Sequence, residues 1–156
     1  MTTFVDGVAE FAPVQAPLRD WLREQTALTA LVGTDTNGTA QVYAGGLPDA
    51  ADLTNGPAVV LYTAGGLDGG TALDRPFCRF NVWADNGGAL EAEAVAYKLR
   101  HVLQQARGAA LGPAADPSEV RLVGADTAAP LWAPDPDTNR PRFVVTTTLT
   151  VQAAGA

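Results

Sequence analysis

The chain has 156 residues, of which 47% are hydrophobic, and this length and apolar content suit one domain with a buried core. Ten Lys and Arg residues against 17 Asp and Glu give a net charge of -7, which disfavours a surface that binds nucleic acid through clustered cations. The single cysteine excludes an intrachain disulfide. Residues 1–10 hold no basic residue and no long apolar run, so we expect neither a signal peptide nor a membrane anchor. We therefore expect the protein to stay in a cytoplasm.

The N-terminal half predicts two helical segments and two strands. Pro17 suits the first position of a helix, and Thr26 is a candidate cap for a second segment over 27–32. The sequence leaves open whether these segments form one helix or two. A short strand is expected at 41–43, and the apolar run 58–62 predicts a strand that is buried on both faces and anchors the sheet.

A glycine-rich stretch, TAGGLDGGTALDRP at 63–76, follows that strand. Four glycines between two strands predict a long hairpin loop rather than a fold element, and such a loop is a candidate for docking. Its GGLDGG portion at 65–70 lacks the Lys and the Ser or Thr of a phosphate-binding loop, and no helix start follows it. We therefore expect a flexible hairpin rather than a nucleotide site.

The next segment, 77–107, predicts a strand followed by a long amphipathic helix. Side chains alternate along 78–84, so one face of this strand belongs to the core. The core-facing residues are Cys78, Phe80 and Val82, and the opposite ones are Arg79, Asn81 and Trp83. From Leu90 the apolar residues recur at the spacing of a helix. Gly108 is suited to end this helix. The buried stripe of this helix is predicted to consist of Val95, Leu99, Val102, Leu103 and Ala106.

The last third of the chain predicts two more strands. Residues 109–117 are rich in Ala, Gly and Pro and are expected to be irregular, and a short strand is expected at 119–124. The four prolines of AAPLWAPDPDTNRP, 128–141, predict a loop. Residues 142–152 give the clearest alternation in the sequence, with a Thr-rich face that predicts a half-exposed strand.

Residue types that catalysis needs are scarce. His101 lies beside the helical stripe without a designated partner, Cys78 lies on a core face, and the only serine, Ser118, has no nucleophile-elbow context. The stretch DPDTN at 135–139 imitates the start of a calcium loop, but the sixth and twelfth positions lack the required Gly and Glu. We therefore expect no catalytic, metal-binding or cofactor-binding residues, and no cofactor.

Two tryptophans and four arginines stand where the core does not obviously need them. Trp83 lies on the polar face of its strand and Trp132 lies in a proline-rich loop, and each either covers an edge of the core or contacts another chain. Four arginines are expected to gather near the same strand ends, either as solvated charges or as interface residues. They are Arg75, Arg79, Arg140 and Arg142.

Five segments carry a resemblance that spans about 17–152. They are LTALVG, QVYAGGLP, GPAVVLYT, FCRFNVWADNGGALEAEAVAYKLRHVL and NRPRFVVTTTLTVQA. In this order they resemble the tail terminator proteins of long-tailed bacteriophages, also called tail completion or minor tail proteins. The most specific portions are the VWA strand before the EAEA helix, and the late Arg before a long strand.

The resemblance implies a single α+β domain over 1–156, with a mainly antiparallel sheet of about four to five strands flanked by two or three helices. We expect residues 1–12 and 153–156 to be loosely ordered. The resemblance further implies a structural virion protein without enzymatic activity, assembled in the host bacterial cytoplasm and located in the tail and neck. Such a protein caps the head-proximal end of the tail tube as a homohexameric ring, ends tube polymerisation and forms part of the head-tail joint.

The implied partners are other copies of the chain, the tail-tube protein and a head-closure or connector protein, with DNA only as cargo through the lumen and no membrane. We assign the loop 65–74, together with Arg75 and Arg79, to ring or tube contacts. We assign Trp132 and Arg140 to a second interface. The full set of candidate interface residues is Gly65, Gly66, Asp68, Gly69, Gly70, Arg75, Arg79, Trp83, Trp132, Arg140 and Arg142. The alternatives are another neck or tail-tube protein, and a small-molecule-binding α+β domain, for which the sequence names no converging polar groups.

Overall fold

A computed structural model of the chain describes residues 4–5, 8–9, 13–68, 73–111 and 120–153. In chain order its elements are β1 (Phe4–Val5), β2 (Val8–Ala9), α1 (Gln15–Arg23), α2 (Thr26–Thr29), β3 (Val42–Ala44), β4 (Ala58–Asp68), β5 (Leu73–Trp83), α3 (Ala89–Gln104), β6 (Ala110–Leu111), β7 (Val120–Thr127), β8 (Leu131–Trp132) and β9 (Arg142–Ala153), with a 3-10 turn at Leu53–Asn55. Strands β1 and β2 form a separate antiparallel pair.

The main sheet has seven strands in the order β3-β4-β5-β9-β7-β6, and β8 also pairs with β9. The prediction of about four to five strands was therefore too small. The pairing is mainly antiparallel, as expected, but the sheet is mixed because β3 runs parallel to β4. A parallel pair needs a connection that carries the chain back along the strand, and residues 45–57 provide it.

The glycine-rich stretch predicted as a loop lies mostly in strands. Strand β4 continues to Asp68 and β5 begins at Leu73, so the described part of 63–76 lies entirely in these two strands, and residues 69–72 lie outside the described residues. The pairing of β4 with β5 shifts register between Thr63 and Gly66, and Gly65 between them has φ 78°. A β-bulge of this kind favours glycine because its backbone enters the left-handed region, so glycine here marks a bulge within the hairpin.

Helix boundaries also differ from the sequence-based expectation. Helix α1 begins at Gln15, so Pro17 is its third residue, which is tolerated because the first-turn N–H groups have no intrahelical partner. Thr26 is the first residue of α2 rather than its cap, and the two segments are separate helices. Helix α3 ends at Gln104, and Gly108 lies in the turn that follows.

One hydrophobic core joins the three helices to one face of the sheet. The predicted alternation is confirmed, since Cys78, Phe80 and Val82 are buried, and so is every residue of the predicted helical stripe. Helix α3 contacts β5, β7 and β9, whereas α1 contacts β3, β4 and β6. Because β3 and β6 lie at opposite ends of the strand order, the sheet curls around the helices.

A smaller apolar cluster lies on the opposite face of the sheet, which we call the outer face. It consists of Tyr43, Ala58 and Val60, with Trp83 and Leu53 among the partly buried residues that contact it. The predicted burial of the strand at 58–62 on both faces is therefore confirmed for 58–61.

The expectation of loose ends at 1–12 and 153–156 falls mostly outside the described residues and stays a prediction. The described parts, β1, β2 and Ala153 at the end of β9, lie in strands. None of the helices in the described ranges is long and apolar enough to cross a bilayer.

Candidate assembly surfaces

Among the described residues, part of the outer face is open. Register places Tyr62, Arg79 and Thr146 side by side on β4, β5 and β9 of this face. The loop residues Ala51 and Leu53 lie over the β3–β4 end, and the described helices pack on the core face. The predicted half-exposed Thr-rich face of β9 is thus part of an open sheet surface, where Arg79 is exposed and donates a hydrogen bond from Nε to Asn81 Oδ1 at 3.2 Å.

The four candidate arginines do not gather near the same strand ends, so that prediction was wrong. Arg75 pairs with Leu67 towards the tip of the β4–β5 hairpin, whereas Arg142 pairs with Trp83 at the other end of β5. Eight residues of extended strand separate these two positions on β5, which corresponds to about 26 Å. The arginines therefore belong to at least two surfaces.

Trp83 and Arg142 form a structural unit at the second of these ends. The guanidinium of Arg142 lies 5.0 Å from the centre of the Trp83 ring, and its Nε donates to the carbonyl oxygen of Ala133 at 2.7 Å. Trp83 is partly buried against the outer-face cluster. Of the two interpretations of Trp83, the covered edge of the core fits this geometry, and Arg142 holds the chain beside β8.

Trp132 lies in a strand that the sequence did not predict. Residues 131–132 form β8 inside the stretch expected to be a loop, and they pair with Val144 and Phe143 of β9. The prolines around β8 concealed this strand, since proline in a sequence argues against a ladder position. The Trp132 ring packs on Phe143 at 5.1 Å between centroids, yet much of it stays exposed, as does Leu131.

The turn after β8 holds Arg140 in a fixed position. Asp135 N donates to Arg140 O at 3.0 Å, Asn139 N donates to Asp135 O at 2.8 Å, and Asn139 has φ 55°. The Asp135 carboxylate accepts from Asp137 N and from the Thr138 hydroxyl. The backbone N–H of Asp137, opposed in part by burial, holds the pKa of Asp135 below its ordinary value. The Asp135 carboxylate therefore stabilises the turn after β8 through hydrogen bonds within the chain.

The glycines of the candidate hairpin fall into two groups. Gly65 lies at the β-bulge, Gly66 pairs with Pro76, and Asp68 pairs with Asp74 near the tip. Gly69 and Gly70 lie outside the described residues. The hairpin that carries the candidate contacts is thus part of the main sheet, since Leu73 and Asp74 of β5 also pair with Gln152 and Val151 of β9.

A buried polar cluster ties α1 to β3. The Tyr43 hydroxyl donates to Asp35 Oδ2 at 3.0 Å, and Oδ1 accepts from the backbone N–H groups of Asn37 and Thr39. The Thr39 bond, opposed by burial and helped by Tyr43, holds the pKa of Asp35 below its ordinary value. Burial and the hydrogen bond to Asp35 raise the pKa of Tyr43 to about 12. Arg23 lies over the Tyr43 ring, so the cluster has a structural role.

Candidates for chemistry are separated in space or buried. Cys78 is buried, and burial raises the pKa of its thiol to about 12, whereas His101 is exposed on α3. Within the described ranges, no group of three or more His, Cys, Asp or Glu residues could hold a metal ion. A cleft of about 390 Å³ between the 3-10 turn and the start of α3 is lined largely by glycines and polar residues such as Asn55, Asp85 and Glu91. It lacks the apolar lining typical of small-molecule sites.

The model of one protein family, described as tail completion protein gp17, matches residues 16–152. The chain belongs to this family. It is therefore a structural protein of a phage tail, and the resemblance seen in the sequence is confirmed.

A solved structure described as the virion of a native gene transfer agent (GTA) particle contains a chain similar to this tail completion family member. The two share 24% sequence identity and superpose with a TM-score of 0.61, over 90% of this chain and 95% of that chain. At this identity the match supports the fold. Among curated proteins, no sequence matches the chain.

For a tail completion protein, exposed apolar side chains are candidate assembly contacts, and sequence reasoning missed one group of them. Leu90, Ala94 and Tyr97 are exposed on the side of α3 opposite its buried stripe. Their spacing of four and three residues places them in one row. This signal was present in the sequence as a second apolar row, with Glu91 and Glu93 beside it.

Proposed function

We propose that the protein is the terminator of the phage tail. Copies of the chain form a closed ring of six on the head-proximal end of the tail tube, end tube polymerisation and offer a new surface to a head-closure or connector protein. The match of the tail completion family over 16–152 carries this proposal.

The distribution of exposed residues supports a ring. A closed ring uses a heterologous contact, in which two dissimilar patches of each subunit meet. The exposed Trp132 of β8 and the outer side of α3 are two dissimilar regions of this kind, one on a strand and one on a helix. An isologous dimer would need a single self-complementary patch.

We assign the β4–β5 hairpin, with Arg75 and Arg79, to contacts with the tube or within the ring. Both arginines are exposed, and the hairpin extends the sheet beyond the edge that β3 covers. Trp132 and Arg140 belong to a separate interface, about the length of β5 away. The net charge of -7 favours a lumen through which DNA slides, since a strongly basic surface would retain it.

The test is tube growth. Purified tube protein is polymerised with and without this protein, and tube lengths are measured by negative-stain electron microscopy. A terminator shortens the length distribution at substoichiometric amounts. The variant Arg75→Glu with Arg79→Glu should lose this effect, whereas Arg107→Glu at an exposed position after α3 should keep it. Unchanged tube lengths at a large excess of wild-type protein would contradict the proposal.

A tail-tube protein is the alternative that the long β4–β5 hairpin favours, because stacked rings need extended contacts. A tube protein polymerises by itself. Sedimentation of the purified protein at increasing concentration separates the two roles, since a terminator stops at one ring.

A further inference from the structure

One edge of the main sheet is covered over only part of its length. Strand β6 is the neighbour of β7 on the side away from β9, yet it pairs only with Val120 and Arg121. The turn before β6 extends this contact to Leu122, whose N–H donates to Ala109 O at 2.9 Å. Among the described strands, none pairs with residues 123–127 on that side. We call 123–127 the open edge.

The backbone groups of the open edge point away from the sheet at alternate residues. Ala128 N donates to Thr146 O at 3.0 Å, so Ala128 faces β9. Because bonding to one neighbour recurs at every second residue of an antiparallel strand, the N–H and C=O groups of Ala125 and Thr127 face outward. The side-chain hydroxyls of Thr127 and Thr147 lie 2.9 Å apart, as expected of a pair without mutual backbone bonds. No backbone bond from the described residues reaches these outward groups.

Two other edges of the sheet are blocked, in contrast to the open edge. At the β3 edge Val42 N donates to Ala40 O at 2.7 Å, and Val42 O accepts from Arg23 Nε at 2.9 Å. Beside β8, Pro130 and Pro134 have no N–H to donate. The open edge contains neither proline nor lysine. A bare strand edge is a template for pairing with a strand of another chain.

The same chain holds a pair of strands without a place in the main sheet. Strand β1 (Phe4–Val5) pairs with β2 (Val8–Ala9), and neither pairs with a strand of the main sheet. Three of these four residues are Phe or Val, which favour strands. A two-stranded pair is marginally stable at best in water, so a further strand beside it stabilises it. We call β1 and β2 the arm.

The arm and the open edge are complementary. The arm offers strand backbone that needs a neighbour, and the open edge offers outward backbone groups that need a strand. Each copy carries one of each, and within one copy they are not paired with each other. Exchange of such an element between copies is a low-cost route to an assembly, and a second copy supplies the missing strand to every open edge.

We infer that in the assembled ring the arm of one copy adds to the open edge of the next and bonds to the backbone of Ala125 and Thr127. This inference rests on the proposed ring and names one of its subunit contacts. Backbone hydrogen bonds supply the affinity of such strand addition. Because the arm and the edge are different surfaces, the contact is heterologous and is repeated until the ring closes.

Hydrogen exchange read by mass spectrometry tests both sides of the contact. Dilute monomers are compared with rings bound to tubes. In rings, the peptide that contains Ala125 and Thr127 should gain protection, and the peptide 1–12 should gain it at the same time. The buried strand segment 58–61 is the control and should exchange equally in both states. Protection of only one of the two peptides, or of both already in the monomer, would overturn the inference.

A proline substitution tests the edge itself. Ala125→Pro removes an outward N–H but no bond within the sheet, and proline is tolerated on an edge strand whose N–H faces away from the sheet. The protein concentration needed for ring formation should rise by about tenfold. Ala129→Pro, at an exposed position between β7 and β8, is the matched control and should stay within about twofold of the wild type. Equal effects of the two variants would contradict the contact, and urea unfolding of the monomers checks their fold.

Cross-linking shows which copy supplies the arm, and it does not require the proline variant to fold. Ala9→Cys together with Asp126→Cys, an exposed position of β7, is treated with a flexible bismaleimide on rings bound to tubes. A ladder of covalent multimers up to the ring size should appear under denaturing conditions. Each single variant should remain monomeric, and so should the wild type, because Cys78 is buried. A cross-link within one copy would place the arm on its own sheet and overturn the inference.

The outcomes separate this inference from the proposed function. Rings that cap tubes but show neither the protection nor the ladder overturn the inference alone. Cross-links from the arm to the tube protein would assign the arm to the tube and also overturn it. A wild-type protein that neither forms rings nor binds tube ends overturns the proposed function and the inference with it.

Discussion

Gln41 is a fully buried polar side chain that fixes the connection between β3 and β4. Its Nε2 donates to Asp52 O at 3.0 Å and to Gly56 O at 3.1 Å, and its Oε1 accepts from Asp52 N at 2.6 Å. The variant Gln41→Leu keeps a similar volume but makes none of these bonds. Three backbone groups then lose their partner in a connection that carries part of the outer-face cluster.

The expected loss in free energy of unfolding depends on how many of these three backbone groups can form a hydrogen bond to water instead. Asp52 and Gly56 are partly buried, so we take one to two groups as left unsatisfied, at about 1–3 kcal/mol each. The free energy of unfolding should fall by about 3 kcal/mol, and Tm by about 6–12 °C for a chain of this size.

Urea unfolding followed by circular dichroism and tryptophan fluorescence measures the change. The control Gln104→Leu, at an exposed position of α3, should stay within about 0.5 kcal/mol of the wild type. A loss below about 1 kcal/mol for Gln41→Leu would refute the reasoning that this amide holds the connection.

Three further predictions follow from buried or paired groups. Because the folded-state pKa of Asp35 lies below its ordinary value of 3.8, its contribution to stability is present above that value and lost as pH falls through the folded-state pKa. Asp35→Asn should therefore lose less stability than the wild type between pH 5 and pH 2, and parallel stability curves would contradict this. Cys78, whose pKa burial raises to about 12, should react with a maleimide at pH 8 only after unfolding in urea, and fast labelling of the native protein would refute its burial. Arg142→Ala should lower the free energy of unfolding by about 1–3 kcal/mol, since the stacking on Trp83 and the bond to Ala133 are both lost. Arg107→Ala at an exposed site is the control for Arg142→Ala. Equal changes in the free energy of unfolding for the two variants would show that the contacts of Arg142 with Trp83 and Ala133 add no stability.

The sequence predicts the elements whose side chains follow one period. Helix α3 and the core faces of β5 and β9 were recognised because their apolar residues recur at helical or strand spacing. The β4–β5 hairpin was mistaken for a loop, since glycine composition alone does not separate a loop from a strand with a bulge at Gly65. The extent of the sheet was underestimated because two-residue strands such as β6 and β8 have no measurable period. The parallel pairing of β3 with β4 was not predicted, because it depends on the path of residues 45–57, which the periodic pattern does not give.

The candidate surfaces were predicted in part. Trp132 was singled out because a large aromatic side chain in a proline-rich stretch needs a reason, and the structure places it half-exposed on β8. The arginines were grouped wrongly because proximity in three dimensions depends on strand register. The row of Leu90, Ala94 and Tyr97 was overlooked since the stronger apolar row of the same helix accounted for its burial.

The measurement that tests the central claim most directly is the imaging of tail tubes mixed with the purified protein, combined with its mass in solution and on the tubes. We predict a ring of six copies on one end of each tube, and no further growth from that end. A protein that stays monomeric and leaves both tube ends free and growing would contradict it.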